Sequence, residues 1–120
     1  MGQNQIVPIL DVDHLGAAMG GDEALMKHFI LRFLENAGRY VDELQARVES
    51  SSGIEGKVWS GDVHRLKGAA RTVGAMRLAA VCVEAENMEV ESKACADAVQ
   101  CLSEEYDAVR AAVHAWLDSD

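Results

Sequence analysis

The sequence predicts an all-α fold, an antiparallel four-helix bundle with a short extra N-terminal helix. Three observations carry that expectation. Apolar residues recur at steps of three and four along most of the chain, and no segment alternates at period two. Ala, Leu, Glu and Met are plentiful and Pro8 is the only proline, a balance that favours helix. The breaks between periodic stretches are short, which makes successive helices antiparallel and lets four apolar stripes close on one core.

Residues 1–10 read as a flexible lead-in ending near Pro8, and 11–120 as one domain. A short helix is expected from about Val12 to Met19, stopped by Gly20-Gly21. Asp22 is a good N-cap for the next helix, with Glu23 favourably placed in its first turn. Leu25, Phe29, Phe33, Ala37, Val41, Leu44 and Val48 then form the stripe of a long amphipathic helix. It ends near Glu49, before the turn Ser50-Ser51-Ser52-Gly53. Ser52 and Glu55 have capping-box spacing. Trp59, Val63, Leu66, Ala70 and Val73 are the stripe of the third long segment, interrupted by Gly74. Leu78, Val81, Ala85 and Met88 mark the next helix. After a polar turn from Glu89 to Ser92, Cys95, Val99, Leu102, Tyr106, Val109, Val113 and Trp116 mark the last.

A chain of 120 residues can bury a core without disulfides or metal. Its formal net charge of −9 argues against nucleic acid and against an anionic membrane surface as partners. Cys82, Cys95 and Cys101 are odd in number and form no CxxC pair, which points to free thiols in a reducing cytoplasm. Met1 to Asp11 lacks the basic and apolar regions of a signal peptide. No apolar run approaches the ~18 residues of a membrane span. Ile6 stands where a myristoylation motif needs Ser or Thr. A soluble, unanchored, monomeric, cytoplasmic protein is expected. His14, His28 and His114 have no partner at metal-ligand spacing and read as surface residues, so no metal site is expected. Trp59 and Trp116 read as core, and Cys82 and Cys95 as small apolar packing groups. The acids from Glu84 to Glu91 read as a solvated face. There is no glycine-rich phosphate loop, so autonomous ATP-dependent phosphorylation is not expected.

His64 has a different setting. At about 100° per residue it lies roughly 140° from the centre of its helix's apolar stripe. Lys67, Gly68 and Arg71, at i+3, i+4 and i+7, share that outer side, as does Gly61 at i−3. A histidine on a helix is by default a surface residue, but glycine inside a helix costs roughly 1 kcal/mol relative to alanine. Helical side chains lean toward the N-terminus, so a side chain at 68 would cover surface beside His64, and its absence clears an approach to the imidazole. Five of the eleven Lys and Arg residues, Lys57, Arg65, Lys67, Arg71 and Arg77, fall between 57 and 77, where Asp62 is the only acid. A solvated helix face can show such clustering by chance. A phosphorylated imidazole predicts it directly, because Lys67 and Arg71 would stabilise its negative charge. A neighbouring cation also favours the neutral, nucleophilic ring.

The run His64-Arg65-Leu66-Lys67-Gly68-Ala69-Ala70-Arg71-Thr72-Val73-Gly74-Ala75 resembles the motif of histidine phosphotransfer (HPt) domains. That motif is a His, one spacer, an apolar residue, Lys, Gly, then an apolar–Gly pair six residues later, and five positions agree. A weaker likeness extends over residues 9–117, through Gly21-Asp22-Glu23-Ala24-Leu25 and the helix after Gly74. The resemblance implies that His64 is the phosphoacceptor through its outer ring nitrogen and that Lys67 steadies the phosphoryl group. It implies that Gly68 admits the receiver domain of a response regulator, with Gly61 and Arg65 on the same docking side, and that Gly74 shapes the turn into the next helix. The chain would bind no cofactor. The receiver would supply the aspartate and Mg²⁺, and a hybrid sensor kinase would stand upstream. Some members carry a neutral polar side chain on the following helix near the phosphoryl group. Here the nearest candidate is Glu86, an acid that would repel it, so Glu86 is assigned no role.

Two other readings stay open. A non-phosphorylated adaptor would use the same face only to dock a partner. The dimerisation and phosphoacceptor region of a sensor kinase would normally come with an ATP-binding domain and often a proline after its histidine, and the chain has neither. The sequence fits either a free-standing protein or a piece of a hybrid kinase.

Overall fold

A computed structural model describes residues 8–50 and 53–119. Among these the elements are five helices: α1 Val12–Ala18, α2 Glu23–Glu49, α3 Gly56–Val73, α4 Met76–Asn87 and α5 Ser92–Leu117. Helix α3 packs against α2 and α4, and α5 packs against the same two, closing the four long helices into a ring. Helix α1 lies against α2 and α3 at one end. The molecule measures 47 × 38 × 21 Å, and the long side matches α2, whose 27 residues span about 40 Å. No helix among the described residues is long and apolar enough to cross a membrane.

The caps follow local chemistry. The Asp11 carboxylate accepts from His14 N–H and that of Asp22 from Leu25 N–H, each at 3.1 Å, satisfying amides that the first turn leaves without partners. Helix α3 begins at Gly56 with Glu55 as N-cap, and no side chain caps it. The Ser52–Glu55 capping box therefore does not hold: it needs Glu55 three residues inside the helix, and Ser52 lies outside the described residues. Gly74, at φ 81°, ends α3 in the left-handed region, with its N–H returned to Ala70 and Arg71. Asp11 N–H donates to the Gly74 carbonyl at 2.8 Å, and a Cβ on Gly74 would stand 2.5 Å from the Asp11 carbonyl oxygen. Arg77 N–H donates to the Pro8 carbonyl. Residues 8–11 are thus tied across the α3–α4 turn, with Ile9 and Leu10 packed against the core.

All five stripe residues of α3 are buried. In α2 the stripe is right only toward its C-terminal half. Phe33, Ala37, Val41 and Leu44 are buried, but Leu25 and Phe29 are exposed, and Met26, Ile30 and Leu34 occupy the core in their place. The N-terminal half of α2 carries two neighbouring apolar rows. The position of α1 decides between them, with the Met26 side chain lying beside Gly16. Cys82 and Cys95 are buried, as is Trp59, while Trp116 is only half-buried at the edge of the core.

Candidate functional site around His64

Packing of α3 on α4 builds this site. Trp59 is fully buried, and its indole N–H donates to the Ala85 carbonyl at 2.9 Å. That bond fixes the register of α4 against α3 and so places Glu86, the next residue, beside the outer face of α3. His64 projects there with 66% of its side chain exposed. Its Nδ1 lies 3.0 Å from Glu86 Oε2, and Lys67 Nζ donates to Glu86 Oε1 at 2.5 Å. One carboxylate therefore binds both the histidine and the lysine. The sequence reading leaves Glu86 without a role, yet it is the residue that joins these two side chains. It stands 22 positions from His64, and only the α3–α4 register brings the two together.

The hydrogen bond from Lys67 holds the Glu86 carboxyl below its usual range; partial burial opposes this and the His64 bond adds to it. An ionised carboxylate only accepts, so the nitrogen facing it must carry a proton. In the neutral imidazole the proton is then on Nδ1 and the lone pair on Nε2, which has no partner among the described residues. Behind the pair, burial pushes the Cys82 thiol up to about 12. Lys67 and Arg71 pull it down more weakly and Glu86 raises it further, so Cys82 stays a neutral packing group.

The basic cluster expected between Lys57 and Arg77 is largely neutralised. Arg65 Nη1 lies 3.2 Å from Asp62 Oδ1, Lys67 is bound by Glu86, and Arg77 Nη2 lies 2.9 Å from Glu105 Oε2. Arg71 keeps an exposed side without a carboxylate partner among the described residues. Asp62 is itself buried, and Arg47 of α2 binds its other oxygen at 2.5 Å. At Gly68 a Cβ would meet nothing within 4 Å. The chain's own packing does not require glycine there, and the surface beside His64 is open. At Gly61 a Cβ would touch only the Arg65 guanidinium at an ordinary 3.8 Å.

Next to this face a groove of about 390 Å³ runs between α2 and α3, lined by His28, Phe29, Arg32 and Phe33 on one side and by Ala69 and Thr72 on the other. With exposed Leu25 it makes an apolar surface one helical position from Gly68. A larger hollow of about 750 Å³ at the α2–α3 connection, beside Glu43, Arg47 and Glu55, shares no residue with the His64 cluster. His14, His28 and His114 are exposed and far from that cluster in sequence. No group of three or more His, Cys, Asp or Glu side chains among the described residues is placed to hold a metal ion.

Comparison with known proteins agrees with this architecture. The family model described as the Hpt domain matches residues 28–112. The fold superimposes on the X-ray structure of a rice protein described as a histidine-containing phosphotransfer protein, with a TM-score of 0.78 and 18% identity over 91% of this chain and 81% of that one. At that identity the likeness is one of fold. No curated protein matches the sequence.

Proposed function

Because the chain belongs to the Hpt domain family, we propose that it carries a phosphoryl group on Nε2 of His64. It accepts the group from the aspartate of one receiver domain and passes it to the aspartate of another. The observation that carries this reading is the exposed imidazole whose Nδ1 is engaged by Glu86, which leaves Nε2 as the free nucleophile. Catalysis on this side is presentation: a fixed tautomer, an open approach over Gly68, and cations at Lys67 and Arg71 for the developing charge. The partner is a response-regulator receiver domain that seats apolar side chains over Leu25, Phe29 and the α2–α3 groove, with Gly61 and Arg65 on the rim. It brings the aspartate and Mg²⁺. A hybrid sensor kinase upstream, a monomeric state and a cytoplasmic location complete the proposal. With no phosphate-binding loop in its sequence, the chain waits for a phosphorylated partner rather than consuming ATP.

The test is to mix the protein with a receiver domain labelled on its aspartyl phosphate. Acid-labile, alkali-stable label is expected on the wild type and none on His64→Gln. Label that persists on His64→Gln would move the acceptor elsewhere, and a wild type that stays unlabelled with every receiver would leave the adaptor reading in place.

A further inference from the structure

Lys67 has one ammonium group, and in the unphosphorylated chain Glu86 holds it. Only 15% of the Lys67 side chain and 23% of the Glu86 side chain are exposed, so water screens this pair less than a surface pair. A phosphoryl group on His64 brings about two negative charges to the same place. It must then either take Lys67 from Glu86 or remain without the ammonium. We propose that Glu86 sets the balance of the transfer: by holding Lys67 and by placing a negative charge beside the phosphoryl group it makes the phosphorylated state the less stable one, and it biases this carrier toward donating. The inference rests on the carrier reading above and concerns its equilibrium, not its existence.

The step itself is balanced as follows. The Nε2 lone pair attacks the phosphorus of the receiver's aspartyl phosphate. A P–N bond forms while the P–O bond to the aspartate breaks, and that electron pair leaves on the carboxylate oxygen. The ring keeps its Nδ1–H and becomes cationic; at higher pH that proton passes to solvent. The charged and titratable groups around the ring and its carboxylate are Lys67 from α3, and Glu86 with the neutral Cys82 thiol behind it from α4; Arg71 of α3 acts electrostatically on Cys82. From α2, His28 and Arg32 line the groove across Ala69 and Thr72. Three effects act on the phosphorylated state. Glu86 repels the phosphoryl group, it retains the ammonium the group needs, and it stabilises the cationic ring. Only the third favours phosphorylation, and it vanishes once the ring is deprotonated. Once the ring is deprotonated, every remaining effect of Glu86 therefore opposes the phosphorylated state. Glu86 is accordingly a positioning residue that acts through Lys67 and the ring.

Glu86→Gln tests this, because it keeps the size and an oxygen acceptor for Nδ1–H and removes only the charge. The measurement is the equilibrium distribution of label between a receiver aspartate and His64, taken across neutral to mildly alkaline pH. A several-fold shift toward phosphorylated His64 is expected for Glu86→Gln, growing as pH rises, with a longer-lived phosphohistidine. Glu86→Ala, read in parallel, removes the same charge without supplying an amide and is expected to shift in the same direction; it carries the test alone should the Gln variant not fold. A distribution equal to wild type, or one moved toward the receiver, overturns the inference. A wild type that takes no label at all fails the carrier reading instead, so the two failures are told apart.

Discussion

Helix α3 meets its two long neighbours through carboxylates of opposite design. At the α2 seam Asp62 is buried, 4% of its side chain exposed, between Arg47 and Arg65. At the α4 seam Glu86 is 23% exposed between Lys67 and His64. The first pair of partners is permanently charged and forked, which suits a fixed lock. The second pair is a mobile ammonium and a titratable ring, both able to change partner or protonation state. On the proposed function, the same interaction serves cohesion on one side of the helix and exchange on the other.

The sharpest way to break that comparison is to remove each carboxylate and read stability against transfer. Asp62→Ala is expected to lower unfolding stability by about 2 kcal/mol in a denaturant titration. The figure stays below that for a fully buried pair because Arg47 and Arg65, 39% and 58% exposed, regain water. Phosphotransfer by the folded fraction should be kept. Glu86→Gln is expected to lower the unfolding midpoint by clearly less than Asp62→Ala while altering transfer. A Glu86→Gln as destabilised as Asp62→Ala, or a transfer-deficient Asp62→Ala, would dissolve the distinction between lock and exchange site.

A second test uses the open surface beside the exchange seam. Replacing Gly68 with Arg puts a long side chain where its Cβ meets nothing of this chain. The fold should be unharmed, and even firmer by up to about 1 kcal/mol from helix propensity. Transfer from a receiver should nevertheless fall on the order of a hundredfold, the scale that misplacing a reacting group produces. Equal losses of stability and transfer would mean that Gly68 serves packing after all.

How much of this was legible beforehand follows from what each feature depends on. The Asp22 cap, the Gly74 stop and the whole stripe of α3 rest on neighbours within one or two turns, so spacing alone places them. The outward position of His64 with Lys67 and Gly68 follows for the same reason. The α2 stripe departs from expectation at Leu25 and Phe29 because two apolar rows compete there, and Met26 and Ile30 take the core. Spacing marks Asp62 as the one acid in a basic window but not its partner Arg47, 15 residues away on α2. It marks Glu86 as the nearest acid to the phosphoryl position but not the lysine that holds it. Both partnerships are hidden for one reason. Pairing across a helix seam depends on register, and register is set by contacts such as Trp59 to Ala85 that periodicity does not encode.

The smallest effect probes the exchange seam directly. The lowered Glu86 pKa means that the unfolded chain binds its proton first as pH falls, so the stabilisation from this group is full above the ordinary carboxylate value of 4.5 and is lost as pH drops through the lower folded value. A carboxyl-carbon NMR titration should accordingly find Glu86 still ionised at 4.5. Since the Lys67 hydrogen bond is the larger cause and the His64 bond the smaller, Lys67→Met should move that titration upward more than His64→Gln does. The reverse order would mean that the ring, not the ammonium, holds the carboxylate. The phosphoryl group would then have no rival for Lys67, and the difference between the two seams of α3 would come down to burial alone.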